Sequence, residues 1–437
     1  MEKEKVLLGQ PIGVFVLAFT EMWERFAFYS MRALLVLFLV DSQVTGGFGW
    51  TNKEALTLYG IYNFLMYLMS IPGGWLADRW IGQKNAVRLG GMLIIIGASL
   101  FTFTLQWTFF LGMGFMILGV GSLKPNISTL VGGLFGQDDP RRDQAFSFFY
   151  MGINLGAAIA GVAAGIVAKL YGWNYGFGLS AIGMIIGQIV FYLGEPYISH
   201  VGNNVKKSDS TQAVVTEPFT KVEIHRVFLL IISFIIVMVF WGAFEQAGGL
   251  LNLYAKNYTD LKVFNVEIPA AIFQSLNAVY IIIFAVPVAS LWIYFTSKRP
   301  NISAVFKMGL GTVILGLAYL FMVGAAIEKD SSATGLSSMW WLFGIYLFAT
   351  WGELCLSPVA LSYITKVAPK RIVSSIMGIY FAVTGLGNYV AAEIGKLTEQ
   401  FDEYTIFIGL VVFCVFFGGA LMLFSKSISK LAHGIIN

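Results

Sequence analysis

The sequence predicts an all-α membrane protein of twelve transmembrane helices in two six-helix bundles, and three observations carry that prediction. The 437 residues are 57% hydrophobic and only 12% charged, about half the charged share of a soluble domain. Apolar runs long enough for a bilayer core recur along the chain, and only helices or closed barrels satisfy their backbone groups there. One long polar connector, residues 194–226, lies mid-chain and contains GNNVKKSDSTQAVVTEPFTK, a flexible linker composition. It divides the chain into a bundle over 1–197, a cytoplasmic linker over 198–222 and a bundle over 223–437. Finally, nineteen Lys and Arg fall in connectors on the N-terminal side of the spans and six on the other. By the positive-inside rule both termini are cytoplasmic, in a multi-pass protein of the cell (inner) membrane.

Hydropathy sets the spans in order, at about 12–39, 54–77, 86–106, 108–135, 144–170 and 174–195 before the linker. After it they fall at about 224–255, 268–297, 303–326, 339–365, 372–397 and 403–427. The first run follows MEKEKVLLGQ, which lacks a cleavable signal pattern, and charges interrupt it, unlike a signal core. Cys355 and Cys414 both sit in apolar runs, so no disulfide framework is implied. Pro125 and Pro358 interrupt spans 4 and 10, while Pro72 and Pro287 lie near the inner ends of spans 2 and 8. Proline frees a backbone acceptor and permits bending, and spans 4 and 10 are expected to bend at a cytoplasmic gate.

Charges deep in the spans are expensive and so informative. They are Glu21, Glu24, Arg25 and Arg32 in span 1, Lys124 in span 4, Glu245 in span 7 and Glu353 in span 10. Helical spacing puts Glu21, Arg25, Phe28 and Arg32 on one face. A period of three helices suits four three-helix repeats whose first helices line a central cavity. Four carboxylates against three cations are near balance, so pairing offsets much of the desolvation. The connector after span 2, Gly74-Trp75-Leu76-Ala77-Asp78-Arg79-Trp80-Ile81-Gly82-Gln83-Lys84, resembles the loop signature of the major facilitator superfamily, with one extra residue before the second glycine. Asp78 there is expected to cap a neighbouring helix N-terminus and to pair with Arg or Lys in one conformation.

Further strings narrow the resemblance. Glu21-Met22-Trp23-Glu24-Arg25-Phe26, followed by Tyr29 and Arg32, resembles the Glu-x-x-Glu-Arg-Phe motif of the proton-dependent oligopeptide transporters. Leu123-Lys124-Pro125-Asn126-Ile127-Ser128 and Phe148-Phe149-Tyr150-Met151-Gly152-Ile153-Asn154-Leu155-Gly156 resemble that family's helix-4 and helix-5 signatures. Trp241-Gly242-Ala243-Phe244-Glu245-Gln246 and Gly352-Glu353-Leu354-Cys355-Leu356-Ser357-Pro358 resemble those of helices 7 and 10.

The resemblance implies a major facilitator fold and proton-coupled import of di- and tripeptides by alternating access. It assigns Arg32, Lys124 and Tyr29 to the peptide carboxylate, and Asn154, Asn277 and Glu353 to the amino end. Tyr67, Trp241, Ser357 and Tyr380 become pocket walls. Proton coupling falls on Glu21, Glu24, Arg25, Lys124 and Glu245. Arg32–Glu245 and Lys124–Glu353 are the implied salt bridges between bundles, and Gly74, Asp78 and Arg79 form the cytoplasmic loop motif. Three departures stand out. The only histidines, His200, His225 and His433, lie in or near connectors, so the helix-2 histidine of animal members is absent. Tyr380 stands where many members carry a tryptophan. The two extra helices of many bacterial members are absent, since the 194–226 connector is too polar to span.

Other functions are disfavoured. No phosphate-cradling loop marks ATP as the energy source, and no HExxH, GxSxG or histidine cluster marks an enzyme or a metal site. No cofactor beyond the coupling proton and no nucleic-acid partner is expected; the bilayer is the surroundings, and the chain is expected to work as a monomer. The alternatives are a same-family transporter of nitrate, histidine or another small anion, or a non-transporting peptide sensor. The intact Glu-x-x-Glu-Arg string disfavours nitrate, and the retained glutamates favour transport over sensing.

Overall fold

A computed structural model describes residues 6–136, 139, 141–202, 220–298, 302–369 and 373–432. Most of the linker (203–219), with Lys206 and Lys207, and also His433 fall outside the described residues. The architecture is helical. The long helices before the linker are α1 (Ile12–Val40), α2 (Asn52–Leu68), α4 (Gln83–Phe101), α5 (Gln106–Gly133), α6 (Arg141–Tyr171) and α7 (Trp173–Gly194), with the short α3 (Ser70–Leu76) after α2. After it come α8 (Lys221–Phe244), the short α9 (Leu250–Tyr258), α10 (Ser275–Lys298), α11 (Ala304–Ser331), α12 (Trp340–Val367), α13 (Val373–Lys396) and α14 (Glu403–Ser429). Among the described residues, ten helical segments are long and apolar enough to cross a membrane.

Two spans that hydropathy reads as continuous are broken. Span 2 runs from α2 through α3 into one π-turn, Ala77–Ile81. Span 7 loses its α-helical pattern at Glu245–Gly248, a 3-10 turn, and Gly249 bends the chain at φ −109°, ψ −95° before α9 resumes. Gly248-Gly249 is the local cause: glycine fixes no helical conformation and marks such bends. Glu245 thus sits at a helix discontinuity.

The chain forms two compact units, Met1–Thr51 with Leu65–Thr211, and Asn52–Phe64 with Gln212–Asn437. The division runs through α2. Its outer part packs in the second unit, where Gly60 lies against Ala392, Leu56 against Gly249 and Gly395, and Lys53 pairs with Glu399 at 3.1 Å.

Within the first unit α1 packs on α6 and α7, and α4 on α5 and α7. The second unit repeats these pairings, with α8 on α13 and α11 on α12 and α14, as expected of related repeats. Small residues set the close approaches. A Cβ on Gly152 or Gly156 of α6 would strike the backbone oxygen of Ala18 or Met22 in α1 at 2.7 and 2.1 Å. Those glycines hold α6 against the charged helix.

Candidate functional site

In the first unit the site is built on α1. Glu21, Glu24 and Arg25 are all buried, and their spacing brings both carboxylates to one guanidinium. Arg25 takes Glu24 with two prongs: Nε donates to Oε2, and Nη2 donates to Oε1 at 2.6 Å. Arg25 Nε also lies 3.3 Å from Glu21 Oε1. The two glutamates therefore differ. Both oxygens of Glu24 receive a charged donor, whereas Glu21 Oε2 is buried and accepts from no donor among the described residues. A buried ionised oxygen without a donor is costly, and a proton on Glu21 removes that cost.

Aromatic rings complete this wall. The Arg25 guanidinium lies 4.9 Å from the Phe28 ring centre, that of Arg32 5.6 Å from Tyr29, and Lys124 Nζ 4.4 Å from Tyr67. Such contacts add an attraction that helps hold each cation in place. Arg25, Phe28, Met66, Tyr67, Val120 and Lys124 line one small cavity, and the Lys124 ammonium is near enough for its charge to act on Glu21. Asn154 is buried in α6, with its amide donating to Tyr150 O at 2.9 Å one turn back.

In the second unit Asn277 of α10 donates to Glu353 Oε2 of α12 at 2.8 Å and to Thr350 Oγ1 at 3.0 Å. Two of the three residues assigned from the sequence to the amino end, Asn277 and Glu353, thus meet. Thr350, one turn before Glu353, was not singled out there; the i,i+3 spacing was its signal. Tyr380 is buried and close enough to Glu353 to feel its charge. Trp241 packs edge-on to Phe240 and Phe244, and its buried Nε1 has no acceptor among the described residues. Ser357 is half-buried in α12. Glu245 is buried at the bend of span 7, where Gln246 Nε2 donates to Ala391 O at 2.9 Å and Tyr346 Oη to Ala247 O at 3.3 Å. Gln246 stands in the helix-7 string without an assigned role, although it is one of few amides in an apolar run.

The cytoplasmic loop motif departs from expectation. Asp78 is exposed, has no hydrogen bond or ion pair among the described residues, and α4 starts without a side-chain cap. Arg79 instead lies over Trp75 at 5.5 Å. The π-turn and Gly82, at φ +77°, end the helix differently from a capped loop. Gly74 packs at ordinary distance on Pro125 of α5.

The sequence matches the family described as Major Facilitator Superfamily over residues 25–392. It is 32% identical to the "Uncharacterized transporter YclF" of Bacillus subtilis (strain 168), across 99% of this chain and 97% of that protein. It is equally 32% identical to the peptide transporter YePEPT of Yersinia enterocolitica, across 98% and 96%. A crystal structure of a peptide transporter POT in complex with sulfate superposes with a TM-score of 0.90 at 31% identity, covering 98% of this chain and 97% of that one.

Proposed function

Because the chain belongs to the proton-dependent oligopeptide transporter family of the major facilitator superfamily, we propose that it imports di- and tripeptides together with protons. The reading counts twelve spans, the ten apolar segments plus α1 and α13, with no extra helix pair in the polar connector. It sets both termini in the cytoplasm and the working unit as a monomer in the cell membrane.

The observation that carries the coupling is the unequal treatment of two carboxylates by one arginine. Glu24 is held by both prongs of Arg25, and Glu21 keeps a buried oxygen without a donor among the described residues. Glu21 is then the group that takes and releases the proton, and Glu24 with Arg25 is its fixed support. Glu245, at the bend of span 7, is the third coupling carboxylate. A proton crossing with a net-neutral peptide moves one charge, worth about 2.3 kcal/mol per 100 mV, so the membrane potential favours import.

A peptide is a zwitterion of fixed ends and variable side chains, and recognition at the ends suits a broad substrate range. Arg32 and Lys124, with Tyr29, attract the carboxylate. Glu353, Asn277 and Asn154 take the ammonium, and Tyr67, Trp241, Ser357 and Tyr380 wall the side-chain space. The Asn277–Glu353 hydrogen bond supports this assignment, since an ammonium can replace the amide as donor. In this reading Arg32–Glu245 and Lys124–Glu353 pair between the halves in one state and part when proton or peptide arrives, giving alternating access. Pro125 and Pro358, beside Lys124 and Ser357, let α5 and α12 bend as they do so.

The test is uptake of labelled dialanine into proteoliposomes with and without an inward-acid pH gradient. Gradient-driven accumulation is expected, with no comparable uptake of nitrate or free histidine. Uptake indifferent to the gradient would sink the coupling, and binding without uptake would favour a sensor.

A further inference from the structure

We propose that the second unit holds an anionic phospholipid in a cavity between α10, α11, α12 and α14, with its phosphate on a rim of lysines. The cavity has a volume of about 1000 Å³ and no acidic residue among its lining. Its trough is apolar, formed by Leu291, Phe295, Phe306, Leu310 and Trp351. It exists because α10 rests on α12 and barely touches α11, which leaves a lateral opening at Leu291 and Phe295, both exposed.

Charge is confined to one end. Lys298 and Lys426 line the cavity, and Lys307 lies 5.0 Å from the ring of Trp292, another lining residue. Lys298 lies over the Tyr294 ring at 4.5 Å and donates to its hydroxyl. None of these three lysines pairs with a carboxylate among the described residues. Three cations at the mouth of an apolar trough, Lys298 and Lys307 held over rings, match a lipid, with phosphate at the rim and acyl chains along the helices. A free phosphate would leave the trough unfilled. The positive-inside distribution puts this rim in the cytoplasmic leaflet, where anionic lipids concentrate.

The experiment is native mass spectrometry of the full chain in detergent, titrated with phosphatidylglycerol and with phosphatidylcholine of the same acyl chains. Phosphatidylglycerol is expected to bind the wild type at least tenfold tighter than phosphatidylcholine. Each lysine near an anionic headgroup is worth about fivefold, so Lys298→Gln/Lys307→Gln/Lys426→Gln together should weaken it about 100-fold. Leu310→Trp, which fills the trough, should also weaken it. The control Lys53→Gln/Lys256→Gln/Lys262→Gln, on the opposite side, should leave it unchanged. The proposal is overturned by equal loss in the control, by unaltered retention in both cavity variants, or by glycerophosphate binding as tightly as the lipid. It is equally overturned if Leu310→Trp breaks up a dimer, which would make a second chain the occupant. Neither membrane orientation nor transport enters the titration, so its failure leaves the peptide reading intact.

Discussion

The two halves of the molecule handle buried charge in opposite ways. The first half carries all three deep cations, Arg25, Arg32 and Lys124, with two deep carboxylates; the second carries the carboxylates Glu245 and Glu353 alone. In the first unit a guanidinium is gripped by acids of its own helix, and aromatic rings back each cation. In the second, Glu353 accepts from the neutral amide of Asn277, and Glu245 sits where its helix breaks. A charge-assisted fork is strong and fixes its carboxylate in one geometry, whereas a hydrogen bond from a neutral amide is weaker. On the proposed reading, the first half keeps a titratable group in a fixed frame, and the second exchanges one partner for another.

Breaking the fork should have the largest effect. Arg25→Ala removes the cation shared by two buried carboxylates and is expected to destabilise the protein by about 3–5 kcal/mol, read as a fall in thermal midpoint in detergent. Glu24→Gln should cost a large part of that and, by loosening the frame around Glu21, also abolish uphill accumulation; a Glu24→Gln protein that still concentrates peptide would show that Glu21 needs no such support. Arg32→Ala comes next, weakening peptides with a free carboxylate by about 2 kcal/mol or more while sparing amidated ones; equal loss for both would undo its role. Asn277→Ala should be milder, at about 2 kcal/mol, the loss of one hydrogen bond to a charged acceptor and one to the Thr350 hydroxyl. Its effect should fall on peptides with a free amino end more than on N-acetylated ones. The smallest effect lies away from the spans. Asp402 caps α14 by accepting from Thr405, which holds its carboxyl below the usual carboxylate range. Its stabilisation is present above the ordinary aspartate pKa and fades as pH falls through the lowered one. Asp402→Ala should therefore lower the thermal midpoint slightly at pH 7, and the difference should shrink towards pH 3.

Much of this comparison was legible in the sequence, because hydropathy and charge act through composition. The helices begin and end close to where apolar runs do; α1 covers Ile12–Val40 and α14 Glu403–Ser429, where the sequence places spans at about 12–39 and 403–427. The breaks were not legible. Gly248-Gly249 and Met69 interrupt runs that stay apolar throughout, and a hydropathy window is blind to backbone conformation. Residue identities at the site were readable, but not who bonds to whom. Spacing offers Arg25 to both Glu21 and Glu24, and only packed side chains reveal that one is gripped twice and the other once. Thr350 has only its i,i+3 spacing to Glu353 as a signal, and that spacing does not say which residue of α10 meets it. Asp78 does not cap α4, because it lies in a π-turn that leaves its side chain in solvent.

The central claim is that Glu21 carries the proton while Glu24 and Arg25 hold it in place. It is tested most directly by Glu21→Gln in proteoliposomes, comparing gradient-driven accumulation of dialanine with counterflow exchange. The account predicts near wild-type thermal stability, intact counterflow and no accumulation under an inward-acid gradient. Accumulation at the wild-type level would contradict it.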